Sequence, residues 1–182
     1  MLQLLREAKP DIKRVGILWT YVMPAFPKEE IEPGYAELNS AARSLNLELH
    51  IVEVANSDQV QAALAEIDEW KPGGLLLTSF FSDKARSVVM QFAVDKSLPT
   101  IVDFDWTRLA PPHPLLCYGP IYRELMQNAV ASVDKILRGA SPGDLPIQRP
   151  SRFELVVSLK TAKAIGLDLP PTLLARADRV IE

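Results

Sequence analysis

The sequence predicts an α/β fold, in which a mainly parallel sheet forms the middle of a three-layer α/β/α sandwich. Short apolar runs alternate with segments of helical spacing at least four times along the 182-residue chain. Parallel strands need long crossovers, usually helices, and this order supplies them. The net charge is −3, with 48% hydrophobic and 24% charged residues. Such a globular composition indicates neither nucleic acid nor an anionic membrane as a partner.

The first elements are a short helical segment, a strand, a helix and a second strand. Residues 1–10 have helical character and end at a proline, which cannot continue a helix. Residues 15–19 form an apolar run typical of a strand buried on both faces. A proline-broken loop through Pro33 follows, and apolar residues then recur every three or four positions over 35–45, which predicts an amphipathic helix. Residues 47–54 form the second strand.

The same alternation continues to the middle of the chain. Asn56 can cap a helix over 60–70, and Lys71-Pro72-Gly73 ends it before a third strand at 74–78. Ser82 can cap the next helix, and a fourth strand follows at 100–104.

The last third begins with a fifth strand at 115–119 and the longest predicted helix, 121–137, which Gly139 ends. Prolines in the connector 141–150 fix the backbone and withhold hydrogen-bond donors, so we expect a hinge there. A strand at 153–159, a short helix at 160–165 and a final helix from Pro170 through Val180 complete the chain.

No motif of an enzyme or a metal site is evident. Cys117 is the only cysteine, so an internal disulfide and a cysteine-rich zinc site are excluded. It lies on a predicted buried strand, where cysteine acts as a small hydrophobic residue. The histidines, His50 and His113, are far apart in sequence. We therefore expect no catalytic residue, no cofactor and no metal.

The candidate site lies where the parallel strands end, because ligands of open parallel sheets bind outside the carboxyl ends of the strands. These ends combine aromatic rings with small polar or acidic groups, a mixture that suits a small amphipathic ligand. The predicted ligand-binding residues are Trp19, Thr20, Tyr21, Ser79, Phe80, Ser82, Asp103, Asp105, Trp106 and Tyr118. The alternative is that these residues cap helices and complete the core.

The two aspartates allow three roles. A phosphoryl acceptor would need an acidic pair after the first strand to hold magnesium, and that strand ends in Trp19-Thr20-Tyr21. Asp103 or Asp105 could instead meet the ammonium group of a ligand. Either could also be a solvated loop residue.

Three stretches near the C-terminus, Val133–Ile147, Phe153–Leu167 and Pro170–Glu182, resemble the signature of one ABC-transporter substrate-binding family. This family is related to tryptophan and tyrosine uptake and has the type I periplasmic-binding-protein fold. Upstream, Lys13–Leu18 resembles the start of the second lobe of that fold. The family's Tyr-Asn-Pro-like turn and Asn-Ser pair have no counterpart after Trp19, so that ligand contact is not carried over.

The resemblance implies that the chain corresponds to the second lobe, with the first lobe missing. We expect a second-lobe core at 1–110, a crossover strand, long helix and proline-rich hinge at 111–150, and a tail completing the lobe at 151–182. In the two-lobed family the chain crosses between lobes three times, so 111–139 would pack on the first lobe. The exposed apolar face that remains here predicts a homodimer through the 121–138 helix, by exchange of that helix between chains.

The implied function is non-covalent binding of a small solute, an aromatic or other amino acid, in an interlobe cleft for an ABC importer. The partners are then the solute and the ABC permease, with membrane contact only through the transporter. Full-length members are periplasmic or lipoprotein-anchored, whereas this chain has no secretory signal and would stay cytoplasmic. An intracellular ligand-sensing module of the same fold, and an enzyme using Asp103 or Asp105, are the alternatives.

Overall fold

The computed structural model describes residues 1–20, 28–78 and 82–182, with side chains described for 1–19, 34–78 and 82–182. The helices are α1 (Leu2–Ala8), α2 (Lys28–Ser44), α3 (Val60–Trp70), α4 (Asp83–Asp95), α5 (Tyr122–Leu137), α6 (Leu159–Ala164) and α7 (Pro171–Ala175). The strands are β1 (Arg14–Thr20), β2 (Glu48–Val54), β3 (Gly74–Leu77), β4 (Thr100–Val102), β5 (Leu116–Pro120), β6 (Phe153–Ser158) and β7 (Arg179–Ile181).

The seven strands form one sheet in the order β2-β1-β3-β4-β5-β6-β7. The five strands from β2 to β5 are parallel to one another. Strand β6 pairs antiparallel with β5, placing Phe153 opposite Pro120, and β7 is parallel to β6. The predicted mainly parallel α/β fold is confirmed.

Two apolar clusters, one on each face of the sheet, hold the sandwich together. One packs α1, α2, α6 and α7 against residues such as Ile17 and Leu76. The other packs α3 and α4 against residues such as Leu75 and Val102. Every residue of β3 and β4 is buried, as expected for parallel strands that are covered on both sides. The three predicted layers are therefore present.

Helix α1 is an integral part of this core. Leu2, Leu4, Leu5 and Ala8 are all buried. The Arg6 guanidinium donates a hydrogen bond of 2.7 Å to the carbonyl of Leu45. Because its buried residues recur at helical spacing, α1 covers the sheet between α2 and α7 rather than projecting from it.

The structure corrects the predicted start of α2. Helix α2 begins at Lys28 rather than near Gly34, and Pro33 lies within it. The connection from β4 to β5 contains a 3-10 turn, Trp106–Arg108. The buried Trp106 anchors that connection to the core.

The predicted final helix is also wrong at its end. Helix α7 stops at Ala175, and Val180 lies in β7, opposite Val157 of β6. A backbone hydrogen bond of 2.9 Å from the Asp178 N–H to the Leu155 carbonyl starts this pairing. Strand β7 in this way pairs with the edge of β6 that would otherwise be open. It was not predicted because its three residues are too few to show the alternation of apolar and polar side chains that marks a strand.

Residues 121–152, which we call the arm, stand apart from this core. None of them is buried, and Gly139, with φ of +100°, ends α5 as predicted. Seven of the ten exposed large hydrophobic residues in the described chain lie in the arm. The preceding residues Leu115 to Cys117 are buried in the core.

Gly119 is needed where β5 passes the end of β4. A Cβ atom at this position would lie 1.9 Å from the carbonyl oxygen of Asp103. We therefore expect Gly119→Ala to displace that backbone and lower the free energy of unfolding by roughly 1–3 kcal/mol, measured by urea denaturation. Gly143→Ala is the matched control, because its Cβ would meet nothing nearer than the Ser141 hydroxyl oxygen at 3.9 Å. Equal stability of the two variants would contradict the close contact.

Candidate functional site

The site is built at the edge of the sheet where the parallel strands end, here called the carboxyl edge. The chain runs from β1 to β2 on one side and places β3 on the other side of β1. The strand order therefore reverses at β1. In open α/β sheets the crevice at such a reversal is where ligands bind.

A cavity of about 560 Å³ lies at this reversal, between α1 and α2. We call it the switch-point cavity; Gln3, Trp19, Glu37, Leu38, Thr78 and Asp103 are among the residues that line it. It brings together two of the predicted residues, Trp19 and Asp103, from the ends of β1 and β4. Its volume is in the range of small-molecule sites.

Trp19, which lines the cavity, forms an aromatic pair with Tyr35 of α2. The rings of Trp19 and Tyr35 meet edge to face, with centroids 4.7 Å apart and planes inclined by 61°. The Tyr35 hydroxyl donates a hydrogen bond of 3.0 Å to Oε1 of Glu53. Helix α2 therefore holds the indole of Trp19 against the sheet, and a packed ring of this kind offers a fixed apolar surface to a ligand.

The cavity is also lined by acidic groups. Asp103 directly follows β4, and its carboxylate oxygen Oδ1 is shielded from solvent. Glu37 adds a second carboxyl group from α2, and Thr78 adds a hydroxyl from the end of β3. Carboxylates beside an aromatic face are suited to a ligand that carries both an ammonium group and an apolar ring.

Asp105 belongs to a different environment. Its carboxylate accepts hydrogen bonds from the backbone N–H of Thr107 at 3.1 Å and from Arg108 Nε at 2.9 Å, and it forms an ion pair with Arg179. Burial alone would raise the pKa of this carboxyl, but the bonds from Thr107 and Arg108 and the charge of Arg179 together lower it. Asp105 thus fastens the loop after β4 to β7, and it borders a smaller cavity of about 260 Å³.

The other predicted residues are dispersed. Ser82 caps α4 by accepting from the Ala85 N–H at 3.3 Å, and Trp106 lies in the core with 4% of its surface exposed. Tyr118 stacks on Phe153 and borders a third cavity of about 250 Å³. Thr20 ends β1, but its side chain is not described, and Tyr21, Ser79 and Phe80 lie outside the described residues.

Cys117 and His113 are not among the residues that line this cavity. Desolvation raises the pKa of the Cys117 thiol to about 12, which keeps it protonated and unreactive. Burial, and then the charges of Lys160 and Arg86, lower the pKa of His113, whose carbonyl accepts from the Thr161 hydroxyl. In the described part of the chain, no three His, Cys, Asp or Glu residues are grouped so that they could hold a metal ion.

Sequence reasoning did not identify Gln3 and Glu37 as residues of the site. The right-handed crossover from β1 through α2 to β2 places α2 beside the end of β1. The predicted helix that contains Leu38 could therefore have been placed beside the site, and Glu37 with it. Gln3 had no such signal, because the packing of α1 against the sheet is a tertiary contact.

A family model described as "ABC transporter substrate binding protein" matches residues 1–181. The chain belongs to this family. The family is one of substrate-binding proteins rather than enzymes. Among the helices that the structure describes, none has the length and apolar character to cross a membrane.

Solved structures of other substrate-binding and related proteins share the fold. A conserved domain protein from Vibrio cholerae has 21% identity and a TM-score of 0.79, over 98% of this chain and 58% of its own. An ABC domain from Streptococcus pneumonia, in complex with L-Trp, has 17% identity and a TM-score of 0.81, over 99% and 60%. The open, ligand-free structure of a substrate-binding protein with adhesive properties from Clostridium difficile has 19% identity and a TM-score of 0.66, over 99% and 58%.

The chain thus spans about three fifths of the length of these similar chains. No curated protein matches it significantly. At sequence identities this low, the likeness to these structures shows a shared fold and nothing more specific.

The Asp105 network predicts a pH-dependent contribution to stability. A lowered folded-state pKa stabilises the protein above the ordinary value of 3.8, and this stabilisation is lost as the pH falls through the folded-state pKa. We expect Asp105→Asn to cost roughly 1–2 kcal/mol at pH 7, with the difference from the unsubstituted protein shrinking as the pH falls below about 4.

Urea denaturation at a series of pH values measures this difference. Asp68→Asn is the control, because its partner Lys96 is half exposed and such pairs contribute little. A cost for Asp105→Asn that stayed constant from pH 7 to pH 3 would exclude the ionised carboxylate as the source.

Proposed function

We propose that the chain forms one lobe of the solute-binding component of an ABC importer, and that it holds one side of a small solute in the switch-point cavity. Binding is non-covalent. The indole of Trp19 contacts the apolar part of the solute, and the carboxylate of Asp103 pairs with its ammonium group. Asp105 takes no part, because two guanidinium groups already engage it.

One observation carries this proposal: the arm leaves the core at Pro120 and returns at Phe153, which are paired residues at the carboxyl edge. A second lobe connected through these segments faces the same edge as the switch-point cavity. The solute is then buried between two surfaces, as a tight small-molecule site requires. Three fifths coverage of the similar solved chains is consistent with one lobe and its connections.

The solute class that we propose is an amino acid with an aromatic side chain. The aromatic wall, the two acidic groups and the volume of about 560 Å³ suit such a molecule. The Streptococcus pneumonia neighbour is in complex with L-Trp. Because that protein shares only 17% of its residues with this chain, the choice of amino acid rests on the cavity and on experiment.

Closure of the two lobes couples solute binding to transport in this proposal. The proline-containing connector near Leu145-Pro146 acts as the hinge, and the closed form docks on the ABC permease. Members of the family normally act in the periplasm, which is where we place the complete protein. We also propose that the apolar face of α5 packs on the other lobe.

The test is ligand-induced thermal stabilisation by L-tryptophan, with L-glutamate as a non-aromatic comparison. We expect weak binding, because half of a cleft buries little of the ligand. Trp19→Ala and Asp103→Asn should each weaken it about tenfold or more, since a hydrogen bond to a charged group contributes roughly 1.5–3 kcal/mol.

Matched controls make the same changes away from the cavity. Trp70→Ala alters a residue that stacks on His50, and Asp68→Asn alters the partner of Lys96. Both should keep the response to L-tryptophan. If the site variants and the controls responded alike, the cavity would not be the binding site.

A further inference from the structure

We infer that Tyr35 and Glu53 are positioning residues for the candidate site, because together they hold the indole of Trp19 in the orientation that meets the solute. Neither is among the described residues that line the switch-point cavity, so their effect on binding is exerted through Trp19. The inference rests on the proposed function for the role of the indole in binding. The orientation of the indole itself can be tested without a solute.

The strand register brings these side chains to one place. Trp19 of β1 is paired with Glu53 of the neighbouring parallel strand β2. Paired residues on adjacent strands direct their side chains to the same face of a sheet, so the carboxylate of Glu53 lies beside the indole. Helix α2 packs on this face and supplies Tyr35.

Two contacts fix the ring of Tyr35 between the helix and the sheet. One edge of the ring meets the indole of Trp19, with the centroids 4.7 Å apart. The hydroxyl group at its far end donates the hydrogen bond of 3.0 Å to Oε1 of Glu53. An edge-to-face contact is favourable only over a limited range of ring orientations. The indole therefore packs against a neighbour that is itself held at both ends.

The backbone of α2 limits the other end of the indole. A Cβ atom at Gly34 would lie 3.6 Å from Cη2 of Trp19, so the six-membered ring lies close to the helix. Trp19 is only half-buried, and side chains that are open to solvent change rotamer within nanoseconds unless they are held. Ordering a mobile side chain when a ligand binds lowers the affinity by roughly threefold to tenfold. The contacts with Tyr35 and Gly34 avoid this loss by ordering the indole beforehand.

The first test measures the indole without solute. Relaxation of the indole N–H groups in the ¹⁵N-labelled chain reports how strongly each tryptophan is ordered. Tyr35→Phe removes the hydroxyl group and keeps the ring, and Glu53→Ala removes the acceptor. Each change should increase the mobility of the Trp19 indole and leave the indoles of Trp70 and Trp106 as they are. Glu53→Gln should behave like the unsubstituted chain, because its amide oxygen can still accept the hydrogen bond.

The second test measures the affinity for L-tryptophan by NMR titration of the same variants. Tyr35→Phe and Glu53→Ala should each weaken binding about threefold to tenfold. The double variant should bind no more weakly than either single variant, because both changes remove the same hydrogen bond. Glu53→Gln should keep the original affinity. A merely structural role would lower the thermal unfolding midpoint of the variants and leave their affinity for L-tryptophan unchanged.

Asp95→Ala is the matched control. It removes an exposed side-chain hydrogen bond of 2.8 Å from Nε2 of Gln91, within helix α4, and Asp95 is not among the residues that line the cavity. Both the order of the Trp19 indole and the affinity for L-tryptophan should stay as in the unsubstituted chain.

Two results would overturn the inference: a Trp19 indole that stays equally ordered in Tyr35→Phe and Glu53→Ala, or an unchanged affinity of both variants for L-tryptophan. If the unsubstituted chain did not respond to L-tryptophan at all, the proposed function would be contradicted instead. The relaxation measurement would then still decide whether Tyr35 and Glu53 position the indole, so the two failures give different results.

Discussion

The direction of one strand determines how the molecule can work. Five parallel strands end at the carboxyl edge, and the next strand, β6, runs back against its neighbour β5. Because of this reversal, the chain that leaves the core at Pro120 re-enters beside it at Phe153. The arm is therefore anchored at the edge where the switch-point cavity lies. A parallel β6 would have forced the returning chain to the other end of the sheet.

The physical consequence is a rigid core, here called the platform, to which the arm is loosely attached. The platform is the sheet with the helices that cover its two faces, and its loops are held by contacts such as the ion pair between Asp105 and Arg179. The arm contributes no buried residue, and regions with few buried contacts open at low free-energy cost. A solute that contacts the platform and a lobe carried by the arm would bias the position of that lobe by its differential affinity for the open and closed forms. In the proposed function, solute binding and lobe movement would therefore both take place at the carboxyl edge.

Much of this fold could be read from the sequence, because two-sided burial leaves continuous apolar runs such as Leu75 to Leu77, and the segments between such runs have helical spacing. Strand polarity alone also places Trp19 and Asp103 at one edge, where both line the switch-point cavity. The short β7 could not be predicted, because its pairing with β6 is a tertiary contact. The same holds for the partner of Asp105. Arg179 lies 74 residues away in the chain, and no local pattern signals that two charges so far apart will meet.

The most direct test of the account is a map of where the solute touches the chain. The three tryptophans lie in distinct places: Trp19 in the switch-point cavity, Trp70 at the end of α3 and Trp106 in the core. In a titration with L-tryptophan followed by two-dimensional NMR of the ¹⁵N-labelled chain, the indole N–H signal of Trp19 and the amide signals of Thr78 and Asp103 should shift together. The indole signals of Trp70 and Trp106 should stay in place. Shifts centred on Trp70, or spread evenly over the chain, would contradict a binding site at the carboxyl edge.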